Sequence, residues 1–197
     1  MLFRAVFVKI QQKEHLKLVY IVLFFNKIPV CDLTMIYIAI GSNLSYRNFR
    51  NPIDVCRAAI LTLEKEGCCL LAQSRWYRSA PVPASPQPFF INGVVAIKTQ
   101  RDPGSLMHHL HQIEFEFGRI RLQGNAARTL DLDLLSYHDL IKDGPETPLL
   151  PHPRMVNRSF VLLPLFEIAP NWLHPISGKC ITDLLADLPL GQDCRPI

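Results

Sequence analysis

Two aspartates alternate with leucines in one of the most apolar stretches of the sequence. Leu132 separates Asp131 from Asp133, and Leu130 and Leu134 flank the pair. Strict alternation predicts a β-strand with both carboxylates on one face and the leucines on the other. Their α-carbons would lie about 6 to 7 Å apart, which allows both side chains to converge on a hard cation. A half-buried edge strand with a solvated acidic face fits equally well, because a short D-x-D motif is not specific.

Arginines stand close to these acids in the sequence. Arg119, Arg121 and Arg128 bracket a loop at residues 122–127. Guanidinium groups beside two carboxylates suit phosphoryl transfer, in which the acids hold metal ions and fixed positive charge meets phosphate oxygens. Arg128 has the wrong parity to share the face of Asp131 on a regular strand. We therefore expect Arg128 to reach the site from the preceding loop or at a bulge.

Further polar candidates lie on either side of the acidic strand. Glu114 is predicted near the carboxyl end of a helix, where a carboxylate is unfavourable unless a cation or donor meets it. His152 and Arg158 lie in a proline-bounded turn after the strand. Three histidines lack further ligands at suitable spacing and are interpreted as exposed helix positions rather than metal ligands: His108, His109 and His111.

Strands and helices are predicted to position these residues. Strands are expected at 36–40, 69–76 and 89–99, with a turn at 41–43 and a proline-rich loop at 79–88. One helix should begin at Asn51 and Pro52 and end at Gly67, and a second should begin at Asp102 and Pro103 and end at Gly118. An apolar segment follows at 161–169, and a closing helix is expected around 181–185.

Composition limits the class of protein. With 197 residues, 49% of them hydrophobic, the chain can form one well-cored domain and an appendage. A net charge of +4 suits an anionic small molecule as well as nucleic acid. Six cysteines without a C-x-x-C pair indicate reduced thiols of a cytosolic protein. Residues 1–34 hold an apolar run too short to span a bilayer, so we expect a non-essential extension at 1–34 and a domain at 35–197.

Six motifs lie at residues 37–44, 77–79, 118–119, 128–133, 151–155 and 157–165. In this order and spacing they resemble the 6-hydroxymethyl-7,8-dihydropterin pyrophosphokinase family of folate biosynthesis. The resemblance runs from about residue 37 to the last helix. It implies a ferredoxin-like α+β fold, an antiparallel sheet with helices packed on it. It also implies transfer of the β,γ-pyrophosphate of ATP to the pterin hydroxymethyl oxygen, with release of AMP.

The resemblance also implies roles for individual residues. Asp131 and Asp133 would hold two Mg²⁺ ions and, with Arg119 and Arg128, form the catalytic set. The implied ATP-binding residues are Glu114, Arg119, Arg121, Leu134, His152 and Arg158. The implied pterin-binding residues are Ser79, Ala80, Val82, Phe90, Asn92 and Phe160. Two phenylalanines can sandwich a flat heterocycle, and an asparagine amide offers a donor and an acceptor to its edge.

One departure from the family concerns the loop between Arg121 and Arg128. It lacks the family's frequent tryptophan and is one residue shorter, so we expect a less aromatic closure of the site. The expected partners are ATP and the pterin, with no nucleic acid or membrane, in a cytoplasmic monomer.

Two other functions fit the sequence less well. A D-x-D glycosyltransferase would bind a nucleotide sugar through a metal, but it would need a larger nucleotide-binding domain than this length offers. A ferredoxin-like RNA-binding module would need exposed aromatic residues with basic neighbours on the central strands. The sequence has Asp131 and Asp133 there instead.

Overall fold

The computed structural model describes residues 8–12, 15–19, 35–119, 126–145 and 147–197. The chain divides into two compact units, Met1–Cys31 and Asp32–Ile197. In the first unit, strands β1 (Val8–Gln12) and β2 (His15–Val19) pair antiparallel. The expected domain start at residue 35 and the dispensability of residues 1–34 stay predictions. Among the described residues, no helix has both the length and the apolar character to cross a membrane.

The second unit is a six-stranded sheet with helices packed on it. Its strands are β3 (Ile36–Ser42), β4 (Cys69–Gln73), β5 (Tyr77–Ser79), β6 (Phe90–Lys98), β7 (Asp131–Tyr137) and β8 (Cys194–Pro196). Its helices are α1 (Pro52–Lys65), α2 (Pro103–Glu116), α3 (Ser159–Ile168) and α4 (Ile181–Ala186), and a 3₁₀ turn spans Met155–Asn157. The strand order is β7-β3-β6-β5-β8, β4 also pairs with β6, and every pair is antiparallel. Because β4 and β5 pair with successive parts of β6, they act as one interrupted strand. The elements from β3 to β7 then follow the order of a split β-α-β-β-α-β unit, which confirms the predicted α+β fold.

Local sequence signals explain the two long helices. The Asn51 side chain accepts a hydrogen bond from the backbone N–H three residues later, and Pro52 opens α1. Asp102 caps α2 in the same way, with Pro103 as the first helical residue. Gly118 follows α2 with a φ of +74°, a left-handed conformation that favours glycine. These helix predictions are confirmed.

The two faces of the sheet differ in chemistry. One face carries the aliphatic residues that pack against α1 and α2, including Ile36, Ile38, Ile40, Leu132 and Leu134. On the opposite face, α3 contacts β5 and β6. This second face also carries Asp131, Asp133 and Asn92, so the site lies on the side away from the main core.

The strand predicted at 69–76 is wrong in its last three residues. β4 ends at Gln73, and the Ser74 hydroxyl accepts a hydrogen bond from the Val94 N–H at 3.0 Å. The Trp76 ring then packs so closely on Gly93 that a β-carbon there would lie 2.9 Å from it. The chain re-enters the sheet as β5, which places Ser79 in a strand rather than in the proline loop.

The turn predicted at 41–43 is also wrong, because β3 continues to Ser42. Gly41 lies opposite Asn92 of β6 and Asp131 of β7. A strand with neighbours on both sides keeps its extended conformation despite glycine, since both partners supply ladder hydrogen bonds.

One of the three histidines on α2 is not exposed. His108 and His111 are exposed as predicted, but His109 is only 6% exposed, and its Nε2 lies 3.3 Å from Glu66 Oε2. The interpretation of His109 as an exposed position is therefore wrong. The ring packs as part of the protein interior, and this burial lowers the pKa of His109, which the nearby Glu66 carboxylate only partly opposes.

The carboxyl-terminal part holds one confirmed and one missed element. Helix α4 confirms the predicted closing helix, and the apolar segment at 161–169 forms most of α3. Strand β8 was not predicted. The five cysteines within the described residues are free, whereas Cys31 lies outside them.

Candidate active site

The two aspartates share one half-buried face of β7. Their side chains are 21% and 27% exposed, whereas Leu130, Leu132 and Leu134 are almost fully buried. The predicted alternation is confirmed. Asp133 lies opposite Ala39, and Asp131 lies opposite Gly41. Ala39 and Gly41 therefore form a floor beside the acids that has almost no side-chain bulk, and this leaves space above the sheet.

Glu114 and Arg119 link α2 to the first aspartate. Glu114 is 1% exposed, and its Oε1 accepts a hydrogen bond from the Leu132 N–H at 2.8 Å. The same oxygen forms an ion pair with the Arg119 guanidinium, which also lies 2.5 Å from Asp131 Oδ1. The buried carboxylate thus has both a cation and a donor, as the sequence required. It also caps the free edge of β7 and fixes Arg119 beside Asp131.

Arg128 reaches the same carboxylate from the other side. It lies in the loop before β7, and its guanidinium is 2.9 Å from Asp131 Oδ2. Its Nε donates to the Ala126 carbonyl at 3.1 Å. The prediction that Arg128 enters from the loop is confirmed. Asp131 therefore has a guanidinium at each oxygen, and its carboxylate is not simply solvated.

Asn43 is a site residue that the sequence did not reveal. It is 2% exposed, and its Oδ1 accepts from the Arg128 N–H at 2.8 Å. Its Nδ2 donates to Gln87 Oε1 at 3.3 Å and to the Pro88 carbonyl at 3.2 Å. Its own N–H donates to the Arg128 carbonyl at 3.1 Å. One side chain thus joins the arginine loop to the proline-rich loop. In the sequence, Asn43 stands directly after a strand and within the motif at residues 37–44, but the predicted turn gave its side chain no role at the site.

Arg158 and His152 meet the second aspartate. The Arg158 guanidinium lies 3.3 Å from Asp133 Oδ2, and His152 Nε2 lies 3.9 Å from Oδ1. His152 Nδ1 accepts from the Arg154 N–H at 3.2 Å, so Nε2 is the nitrogen that faces the site. Burial lowers the pKa of His152, while the Asp133 carboxylate opposes the shift. Burial also lowers the pKa of Arg158.

Asn92 lies in the row of the first aspartate, and Ser79 lies opposite Phe90 in the adjacent row. Asn92 pairs with both Gly41 and Tyr77 across the sheet, and its Nδ2 donates to the Ser79 hydroxyl at 2.9 Å. The Asn92 Oδ1 lies 3.2 Å from where a Gly41 β-carbon would be. Glycine at position 41 therefore lets the amide sit close to the sheet floor, and the buried asparagine is satisfied by a side chain rather than by backbone.

The other predicted pterin residues surround this row at different depths. Phe90 and Phe160 are both half-buried, and the guanidinium carbons of Arg128 and Arg158 lie 5.7 and 5.4 Å from their ring centroids. The remaining two are Ala80, half-buried after β5, and Val82, which is 49% exposed in the proline-rich loop. Each aromatic ring thus lies beside an arginine that contacts an aspartate.

Two predicted ATP residues stand apart from this arrangement. Arg121 and most of the shortened loop, residues 120–125, lie outside the described residues. Leu134 is fully buried on the core face of β7. Its side chain is directed away from the acids, so only its backbone is available to a ligand.

Comparison with known proteins identifies the family. The model of the 7,8-dihydro-6-hydroxymethylpterin-pyrophosphokinase (HPPK) family matches residues 37–170. The chain belongs to this family. A pyrophosphokinase of this type from Synechocystis is 42% identical over 140 residues, which are 71% of this chain and 66% of that protein. Its counterpart from Haemophilus influenzae is 39% identical over 151 residues, which are 76% of this chain and 89% of that protein.

Solved structures agree with the HPPK fold. A Plasmodium falciparum HPPK-DHPS structure superposes with a TM-score of 0.62 at 15% identity, over 77% of this chain and 44% of that chain. At this identity the likeness concerns the fold alone. The relatives differ in length, since the chain spans about two thirds of the Synechocystis protein and nearly all of the Haemophilus one.

The donor set of this HPPK site suits magnesium rather than a self-contained metal centre. Within the described part of the chain, no group of three or more histidine, cysteine or acidic side chains is placed to hold a metal ion. Mg²⁺ is usually bound by one or two carboxylates together with substrate phosphates. Asp131 and Asp133, on one face above an open floor, fit that mode of binding.

Proposed function

We propose that the chain transfers the β,γ-pyrophosphoryl group of ATP to the hydroxymethyl oxygen of 6-hydroxymethyl-7,8-dihydropterin and releases AMP. Family membership supports the reaction class. One observation carries the proposal: Asp131 and Asp133 lie on one face of β7, and arginines contact both carboxylates. Pyrophosphoryl transfer depends mainly on positioning and on neutralising charge, and these groups supply both.

The nucleotide phosphates are assigned to the groups around the acids. Arg119 and Arg128 would stabilise charge on the transferred group, because both guanidinium groups converge on Asp131. His152 and Arg158 would hold the phosphates on the side of Asp133. Glu114 contributes through Arg119, since the carboxylate is buried and bound to that guanidinium. Contacts of Arg121 and of the Leu134 backbone with ATP remain part of the proposal.

The pterin is assigned to the row across the sheet. The Asn92 amide and the Ser79 hydroxyl offer hydrogen bonds to the ring edge, and their mutual bond fixes the orientation of the amide. Phe90 and Phe160 supply flat apolar surfaces for the ring faces. Ala80 and Val82 form the loop side of the subsite. The pterin would then lie above Gly41, beside the carboxylates.

Asp131 and Asp133 would hold Mg²⁺, and the proposal includes two ions. Bound magnesium would neutralise negative charge on the phosphate oxygens and would orient the triphosphate. The arginines that pair with the carboxylates would turn towards the phosphate oxygens when the nucleotide binds. Attack by the hydroxymethyl oxygen would be direct and in line, with no covalent enzyme intermediate. A monomer in the cytoplasm, without nucleic-acid or membrane partners, stays a prediction.

The function is tested by measuring AMP formation from ATP with and without hydroxymethyl-dihydropterin. We expect AMP only when the pterin is present. Asp131→Asn should lower the rate by about a hundredfold or more, because it removes a carboxylate that would hold Mg²⁺ at the reacting phosphates. Asp139→Asn is the matched control, since Asp139 is exposed just after β7. ATP consumption without the pterin, or an unchanged rate in Asp131→Asn, would contradict the proposal.

A further inference from the structure

The last strand of the chain lies beside the proposed pterin subsite. β8 pairs antiparallel with β5, and Cys194 lies opposite Ser79. The ladder continues beyond the strand, because the Ala80 N–H donates to the Asp193 carbonyl at 3.0 Å. The family model ends at residue 170. Two residues assigned to the pterin are therefore held by a segment outside the matched region.

A side chain from the same segment holds the start of α3. Gln192 Oε1 accepts from the Ser159 N–H at 2.9 Å, and its Nε2 donates to the Asn157 carbonyl at 2.9 Å. The first N–H groups of a helix have no acceptor within the helix. The N-cap residue Arg158 supplies no side-chain hydrogen bond. Gln192 therefore caps α3 from a position more than 30 residues later in the chain.

These contacts join two walls of one subsite. On one side are Ser79 and Ala80, and on the other is Phe160 in the first turn of α3. We propose that residues 192–196, called here the C-terminal clamp, position the pterin subsite through the side chain of Gln192 and the backbone of the residues after it, with Gln192 as the positioning residue. This inference rests on the proposed function. The clamp acts by fixing the distance between β5 and α3, and it need not touch the substrate.

The chemistry of the clamp agrees with a positioning role. Burial raises the pKa of the Cys194 thiol to about 12, and the neighbouring Ser159 hydroxyl only partly opposes this. A neutral, partly buried thiol is a weak nucleophile. Cys194 therefore contributes packing between β8 and the start of α3, and the hydrogen bonds of Gln192 and of the backbone provide the connection.

Gln192→Ala tests the clamp, with Asp193→Ala as the matched control. The Asp193 side chain is exposed and makes no ion pair or hydrogen bond within the described residues, and its backbone carbonyl remains in the variant. In Gln192→Ala we expect the KM for hydroxymethyl-dihydropterin to rise about tenfold, because small displacements of positioning groups are costly. The KM for ATP should change by less than about threefold, because Asp133 still holds Arg158.

The split between the two substrates separates positioning from a loss of folded protein. A smaller folded fraction would lower kcat and leave both KM values unchanged. An unchanged pterin KM, or an ATP KM that rises as much as the pterin KM, would overturn the inference. Gln192→Glu keeps an acceptor for the Ser159 N–H but sets an oxygen against the Asn157 carbonyl. It should give an intermediate pterin KM, and it replaces Gln192→Ala if that variant does not fold.

Hydrogen exchange distinguishes failure of the clamp from failure of the proposed function. The Ser159 amide should exchange faster in Gln192→Ala than in the unmodified chain, and at the unmodified rate in Asp193→Ala. This measurement needs no substrate. If the unmodified chain forms no AMP, the proposed function fails and exchange alone decides on the clamp. An unchanged Ser159 exchange rate in Gln192→Ala would then overturn it.

Discussion

Asn43 connects three segments of the site through a single buried side chain. It accepts from the Arg128 N–H and donates to Gln87 and Pro88, so its amide fixes one loop against the other. Each hydrogen bond alone contributes little, but leaving a buried polar group without its partner costs about 1–3 kcal/mol of free energy. Asn43 therefore sets the position of Arg128 relative to Asp131 without contacting that carboxylate.

Asn43→Ala should lower kcat/KM for the pterin by about 10- to 100-fold, since a cost of 1.4 kcal/mol corresponds to a factor of ten. Asn43→Asp keeps the acceptor for the Arg128 N–H and should lose less. Asn51→Ala is the control, because this residue caps α1 away from the site. That control should lose about 1 kcal/mol of stability and keep kcat/KM. Steady-state kinetics and urea unfolding of the three variants measure these effects, and equal kcat/KM for Asn43→Ala and Asn51→Ala would contradict the role of Asn43.

At the scale of elements, Glu167 fastens α3 to the strands beneath it. The Tyr77 hydroxyl donates to Glu167 Oε1 at 2.7 Å, and the Arg75 Nε donates to the same oxygen at 2.7 Å. The Arg75 N–H donates to Oε2 at 2.9 Å. Burial and the Glu167 carboxylate together raise the pKa of Tyr77, so its hydroxyl stays protonated as a donor. Tyr77, the first residue of β5 after the break that follows β4, is thereby bonded to α3.

Tyr77→Phe should destabilise the protein by about 1.5–3 kcal/mol, because the hydroxyl donates to a charged group. Tyr137→Phe provides a matched comparison. Its hydroxyl donates to the neutral Arg101 carbonyl at 2.8 Å, so the expected loss is about 0.5–1.5 kcal/mol. Urea unfolding at pH 7 gives both values. If Tyr137→Phe cost as much as Tyr77→Phe, the charge of Glu167 would not be responsible.

The sequence predicted those elements whose signals are local. The caps Asn51 and Asp102 and the alternation around Asp131 each act within a few residues, so α1, α2 and β7 were found. The break between β4 and β5 depends on Trp76 packing against Gly93, which is distant in sequence. Strand β8 has three residues and, among the described strands, pairs with β5 alone, so it leaves no periodic pattern. The roles of Asn43 and Gln192 depend on contacts across the chain and were missed for the same reason.

At the scale of the whole molecule, two buried histidines outside the site link stability to pH. Burial lowers the pKa of His109 and of His174 from 6.5. Around His109, Arg101 and His108 also lower the pKa, while Glu66 and Glu116 raise it. A histidine with a lower pKa in the folded state binds fewer protons there than in the unfolded state. Its stabilisation is therefore complete above pH 6.5 and is lost as the pH falls through the folded-state pKa.

His174 offers the cleaner test of this linkage, because burial alone lowers its pKa. It is 8% exposed, its Nδ1 accepts from the Ser177 N–H at 3.2 Å, and its ring meets Trp172 edge-on. Protonation of Nδ1 would remove that acceptor as well as bury a charge. We therefore expect the free energy of unfolding to fall between pH 7.5 and pH 5.5, and urea unfolding across this range measures the decline.

His174→Asn supplies an amide oxygen for the Ser177 N–H but cannot titrate. It should be less stable than the unmodified chain at pH 7.5, by about 1 kcal/mol for the lost ring packing. Its stability should nevertheless decline less as the pH falls, because one proton-linked penalty is absent. His108→Asn changes an exposed position of α2 and removes only the smallest of the influences named on the pKa of His109, so its stability should decline almost as steeply as that of the unmodified chain. Parallel declines in the unmodified chain and His174→Asn would show that His174 binds protons equally in the folded and unfolded states over this range, and that other groups cause the acid sensitivity.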